Sequence, residues 1–77
     1  MSKKMLIHLL ENFAATPSDV DAEAIKLYIN ENFQALTSLN PERSAEMNRI
    51  LLKINQLLEE DFDSIKIYRI IDYIRFF

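Results

Sequence analysis

The sequence contains no cysteine, no glycine and no tryptophan, and it has only two prolines and one histidine. Without cysteine, and with a single histidine, the chain has no disulfide framework, no thiol nucleophile and no cysteine-rich metal site. Without glycine it has no phosphate-binding P-loop, no dinucleotide-binding fingerprint and no Asn-Gly hairpin turn. We therefore predict no catalytic residue, no cofactor and no metal, in a protein that is not an enzyme.

The length of 77 residues allows one domain, which we take as residues 1–77. Nine Lys and Arg residues against twelve Asp and Glu residues give a formal net charge of −3. This balance argues against a nucleic-acid partner, because neutralising many phosphates needs an excess of cations. The apolar and charged contents, 49% and 27%, are those of a globular chain rather than a disordered one.

The N-terminal apolar stretch at residues 5–10 is too short and too interrupted to be a targeting signal. His8 breaks it, it ends at Glu11, and no cleavage site follows. No apolar run in the chain approaches a membrane span, which needs about 18 residues. We therefore expect a cytoplasmic protein with no membrane span.

Two dipeptides, Thr16-Pro17 and Asn40-Pro41, mark helix boundaries. Each places a capping residue before a proline, which suits the first position of a helix. The acidic stretch at residues 59–63 marks a third boundary, where Asp61 or Asp63 caps the helix that follows. The predicted helices cover residues 2–15, 17–39, 41–60 and 63–77.

The third predicted helix has the most regular apolar pattern. Its apolar residues recur at intervals of three and four, as one buried helix face requires. These residues are Met47, Ile50, Leu51, Ile54, Leu57 and Leu58.

The final segment is rich in β-branched and aromatic residues, so propensity alone also permits a strand. The adjacent pairs Ile70-Ile71 and Phe76-Phe77 break the alternation that a strand needs, and the chain has no hairpin turn. We therefore predict an all-α bundle of three or four helices.

The final helix is apolar on nearly all sides, which predicts burial against more than one neighbour. Chains below about 80 residues usually need a disulfide, a metal or a partner chain for stability. We therefore predict that homodimerisation, or another protein, covers this helix. The predicted interface residues are Ile67, Ile70, Ile71, Ile74, Phe76 and Phe77.

The densest acidic cluster is a candidate docking patch for a basic partner. Its members are Glu59, Glu60, Asp61 and Asp63. A calcium loop is disfavoured, because such loops need a glycine at the sharp turn. The alternative interpretation is helix capping beside a solvated loop.

Two other features have a functional and a structural interpretation. His8 is a candidate general base with Glu11 or Asn12 as its neighbour, or else a histidine on a helix flank. Lys66, Arg69 and Arg75 suit a DNA-recognition or membrane-surface helix, but their strip is narrow, and Asp72 is placed to pair with an arginine locally.

Four segments carry a resemblance to a known family. They are residues 10–13 (LENF), 19–23 (DVDAE), 50–59 (ILLKINQLLE) and 67–74 (IYRIIDYI). Over most of its length, about residues 6–76, the chain resembles the AriR/YmgB-type small regulators of biofilm formation and acid resistance, which are two-component-system connectors. It departs from them at Asn40-Pro41, where the family has a glycine-containing stretch. The resemblance implies a helical dimer that modulates signalling by binding proteins, with DNA contact also proposed. The final helix is also similar to that of bacteriocin immunity proteins.

The first functional hypothesis is a non-enzymatic regulatory or adaptor protein that acts through protein–protein contacts in bacterial stress or biofilm signalling. The second is an immunity or antitoxin-like protein that neutralises one cognate partner. The third is a DNA-associated regulator.

Overall fold

A computed structural model of the protein describes residues 2–60 and 62–77. Five helices and one 3-10 turn make up most of this part of the chain, which contains no strand. The helices are α1 (Ser2–Ala15), α2 (Asp19–Glu31), α3 (Phe33–Thr37), α4 (Ser44–Glu60) and α5 (Ser64–Arg75), with the 3-10 turn Pro41–Arg43 before α4. The predicted all-α bundle is confirmed.

The start of α2 differs from the prediction. Ser18 is the capping residue, because its hydroxyl accepts a hydrogen bond from the backbone N–H of Asp21 at 3.2 Å. The helix therefore begins at Asp19, and the predicted Thr16 cap and Pro17 start are wrong.

The start of α5 agrees with the prediction. The Asp63 carboxylate accepts hydrogen bonds from the backbone N–H groups of Ile65 at 2.9 Å and Lys66 at 3.4 Å. A carboxylate in this position satisfies orphan donors of the first turn and lies at the positive end of the helix dipole.

The predicted second helix is not continuous, because it breaks at Asn32. The side-chain amide of Asn32 donates to the Tyr28 carbonyl at 2.9 Å, and the Asn32 backbone N–H bonds to the same oxygen at 3.0 Å. Asparagine side chains compete in this way with regular helix bonding. The chain then turns and forms the short helix α3, which buries Leu36.

One hydrophobic core joins all five helices. Its largest fully buried side chains are Leu6, Leu10, Phe13, Ile25, Leu36, Met47, Leu51, Ile54, Ile67, Ile71 and Ile74. The Cα radius of gyration is 11.3 Å, close to the value of about 11.5 Å for a compact domain of this length. A single copy of the chain therefore closes its own core.

Helix α5 runs antiparallel to α1. At one end the Ser64 hydroxyl donates to the Ala14 carbonyl at 2.8 Å, and at the other the Lys3 ammonium donates to the Arg75 carbonyl at 3.2 Å. Both acceptors are carbonyls in the last turn of a helix, which lack intrahelical partners. The packing of α5 on α1 therefore also satisfies the ends of both helices.

This packing corrects part of the predicted interface. Ile67, Ile71 and Ile74 are buried in the core of the single chain, with Ile74 fully inaccessible to solvent. Ile70 and Phe77 are half-buried against the same core. Among the predicted interface residues, only Phe76 is exposed, by 84%.

Substitution of two adjacent leucines of α4, one buried and one exposed, tests the assignment of the core residues. Leu51 is 1% exposed and Leu52 is 56% exposed. We expect Leu51→Ala to lower the free energy of unfolding by about 2–5 kcal/mol, because it removes buried methyl groups and leaves a cavity. Urea denaturation followed by circular dichroism measures the loss. Leu52→Ala is the matched control, and a similar loss in both variants would contradict the assigned core.

Candidate partner-binding surfaces

Helix α5 presents one side to solvent, which we call the α5 outer face. It consists of Ile65, Tyr68, Asp72 and Phe76, spaced at i, i+3, i+7 and i+11 and therefore on one side of the helix. Ile65 is 67% exposed and Phe76 is 84% exposed, and Tyr68 is also exposed. Three of its four members are large apolar or aromatic side chains, and a cluster of such exposed side chains favours a protein–protein contact.

A groove open to solvent lies between α4 and α5, with a volume of about 560 Å³. We call it the cationic groove. It is lined by Glu46, Arg49, Ile50, Lys53, Arg69, Ile70 and Tyr73. The half-buried Ile50 and Ile70 belong to the layer packed against the core, whereas Arg49, Lys53 and Arg69 are exposed.

A polar cluster closes one end of the cationic groove. Arg43 binds Glu46 with two hydrogen bonds, from Nε at 3.1 Å and from Nη2 at 2.7 Å. The Tyr73 hydroxyl donates to the same carboxylate. The Arg43 guanidinium also lies 4.0 Å from the centre of the Phe77 ring. The start of α4 is therefore bound to the end of α5 by charge as well as by apolar packing.

These contacts shift the ionisation of the cluster. The hydrogen bonds from Arg43 and Tyr73 lower the pKa of Glu46 from 4.5 to about 2. The hydrogen bond to the Glu46 carboxylate raises the pKa of Tyr73 and that of Arg43. Each shift favours the form in which Glu46 is charged and Tyr73 keeps its proton.

The predicted acidic docking patch is divided among separate structural roles. Glu59 lies 3.7 Å from the Lys26 ammonium of α2, and Asp63 caps α5. Glu60 is exposed at the end of α4. Asp61 lies outside the described residues. In the part of the chain that the structure describes, no group of three or more His, Cys, Asp or Glu residues is placed to hold a metal ion.

Two of the remaining sequence candidates, His8 and Arg75, have side-chain partners. His8 is exposed, and its Nε2 lies 3.3 Å from the Asn12 amide nitrogen rather than near the Glu11 carboxylate. Arg75 pairs with Asp72 at 3.5 Å, as the sequence pattern allowed, and it also pairs with Glu11 of α1 at 2.6 Å, which the sequence did not predict. None of the helices in the described ranges is long and apolar enough to cross a membrane.

The sequence analysis did not identify the cationic groove. Arg49 and Lys53 are one helical turn apart on α4, so their common side is visible in the sequence. Arg69 lies on a different helix, and only the packing of α5 on α4 brings it to the same groove.

No family model, characterised protein or solved structure matches this chain. The resemblance to the AriR/YmgB-type regulators therefore stays a prediction.

The low pKa of Glu46 predicts a pH-dependent contribution to stability. A carboxylate whose pKa is lowered by folding stabilises the fold above its ordinary pKa of 4.5, and this contribution disappears as the pH falls towards about 2. We expect Glu46→Gln to lower the melting temperature at neutral pH, and we expect the difference from wild type to shrink across that acid range. Thermal unfolding at a series of pH values measures it.

Glu42→Gln is the matched control, because Glu42 is an exposed neighbouring carboxylate with no ion pair among the described residues. A difference between wild type and Glu46→Gln that stays constant with pH would contradict the assignment.

Proposed function

We propose that this chain is a small non-enzymatic regulatory or adaptor protein that acts through protein–protein contacts. The observation that supports the proposal is the α5 outer face, where Ile65, Tyr68 and Phe76 stay exposed although the opposite side of α5 is packed into the core. Burying such side chains releases about 25 cal/mol for each Å² of apolar surface removed from water. A partner that covers this face gains that free energy.

We further propose that one partner is a second copy of the chain. In a two-fold dimer the same face of both subunits meets, so Ile65 and Phe76 of one copy contact the α5 outer face of the other. This arrangement uses the outward side of α5 and leaves Ile67, Ile71 and Ile74 in the core.

The proposed role in bacterial stress or biofilm signalling rests on the family resemblance. An immunity or antitoxin-like protein requires the same kind of surface, because it also acts by covering a partner. Recovery of the native partner from the source cell separates the two roles, since one partner is a signalling component and the other is a toxin.

The oligomeric state tests the role of the α5 outer face. We expect wild type to sediment as a dimer and the double variant Ile65→Glu/Phe76→Glu to sediment as a monomer, because the new charges make burial of the face unfavourable. Circular dichroism of the variant should match wild type, since both positions are exposed. Sedimentation equilibrium over a range of concentrations measures the change.

The matched control is Val20→Glu/Leu27→Glu, which places two charges at exposed apolar positions of α2. We expect this control to remain a dimer. A monomeric wild type, or equal dissociation of both double variants, would contradict the proposed self-association.

Substitution of a buried residue of α5 should affect folding rather than the oligomeric state. We expect Ile74→Asp to unfold the chain at neutral pH, because its carboxylate enters the subunit core without a partner. Circular dichroism measures the loss of helix. A folded Ile74→Asp monomer would instead place Ile74 at an interface.

A further inference from the structure

The cationic groove contains cations that the protein does not pair with its own acids. Arg49, Lys53 and Arg69 have no ion pair with any described residue. In contrast, Lys26 and Arg75 each lie within 4.0 Å of two carboxylates. The groove therefore has a local excess of positive charge in a chain whose net charge is −3.

Glu46, the one carboxylate among the described residues of the lining, does not remove this excess. Glu46 accepts two hydrogen bonds from Arg43 and one from Tyr73. Its charge is therefore already balanced by Arg43, although it also attracts Arg49 at longer range.

The floor of the groove is apolar. Ile50 of α4 and Ile70 of α5 are half-buried and pack against the core, whereas Arg49, Lys53 and Arg69 of the same lining are exposed. A ligand that fills this groove therefore meets both hydrocarbon and positive charge. Such a ligand must itself be both apolar and acidic.

The length of the groove fits a short piece of polypeptide. Glu46 and Lys53 are seven residues apart on α4, which corresponds to about 10 Å along a helix axis. This distance matches about two turns of a helix or about three residues of extended chain. A groove that is open to solvent along this length suits a continuing chain better than an enclosed small molecule.

We propose that the cationic groove binds an acidic, amphipathic segment of a partner protein, with an apolar side chain on Ile50 and Ile70 and carboxylates on Arg49, Lys53 and Arg69. The proposal rests on the proposed function because both require a protein partner, but it concerns a surface other than the α5 outer face. Nucleic acid fits less well, because three cations neutralise few phosphates and an apolar floor adds nothing to phosphate binding.

Selection from a random peptide library tests the chemistry of the partner. Phage-displayed random peptides are selected separately on wild type and on the charge-reversed variant Arg49→Glu/Lys53→Glu/Arg69→Glu. The variant keeps the apolar residues Ile50 and Ile70 but reverses the charge of the groove. We expect wild type to enrich peptides that combine Asp or Glu with a large apolar residue. We expect the variant to lose these peptides. Enrichment without acidic residues, or the same peptides on both proteins, would overturn the proposal.

Titration of one selected peptide measures the contribution of each cation. We expect Lys53→Ala and Arg69→Ala each to weaken binding by about two- to fivefold, as is typical of exposed charge pairs. Replacing the apolar residue of the peptide with serine should weaken binding further. Lys4→Ala is the matched control, because Lys4 is an exposed cation of α1 without an ion pair among the described residues and outside the groove. Equal weakening by Lys4→Ala would overturn the assignment.

Two further measurements distinguish other occupants. Binding of a DNA duplex that the charge-reversed variant loses, with a steep dependence on salt, would overturn the proposal in favour of nucleic acid. Loss of the dimer in Arg49→Glu/Lys53→Glu, which changes only α4, would overturn the proposal in favour of a second copy in the groove. Peptide binding tests the proposal for the cationic groove, and sedimentation of Ile65→Glu/Phe76→Glu tests the proposal that the α5 outer face forms a dimer. Either proposal can therefore be refuted without the other.

Discussion

The packing of α5 against α1 and α4 is the interaction on which the rest of the structure depends. The chain has no cysteine for a disulfide, so apolar contact must supply most of its stability. Ile67, Ile71 and Ile74 provide this contact on the inner side of α5. Once these three side chains point inward, the helical spacing fixes the direction of every other residue in α5. The outer face and the wall of the groove are therefore consequences of the same packing.

The sequence predicted the regular parts of the fold well, for a local reason. In α4 most apolar residues occupy one side, with Leu52 as the exposed exception, so periodicity identifies Met47, Leu51 and Ile54 as buried. In α5 the apolar residues occupy nearly every side, and periodicity then indicates a helix without indicating its inner side. The sequence analysis consequently assigned Ile67, Ile71 and Ile74 to an interface, whereas the exposed side contains Ile65. The break at Asn32 was also missed, because it arises from a side-chain hydrogen bond and not from proline or glycine.

The formal net charge of the protein is only −3, but positive and negative side chains are distributed unevenly over its surface. Several acids are engaged in structural contacts: Asp63 caps α5, Glu59 pairs with Lys26, and Glu46 pairs with Arg43. The cations of the groove have no such partners in the part of the chain that the structure describes. The sign of the net charge is therefore a poor guide to the charge that a ligand meets locally, since the field near the groove depends on which acids are already neutralised. The sequence alone did not show this difference, because it depends on contacts between helices.

No residue in the described ranges adopts a positive φ angle, and the chain has no glycine. The C-caps Asn32, Ser38 and Phe76 all have negative φ values. Left-handed positions normally restrict a site to glycine or asparagine during evolution. Among the described residues the backbone imposes no such restriction. The contacts of each side chain, rather than its φ angle, therefore limit which amino acids an exposed position tolerates.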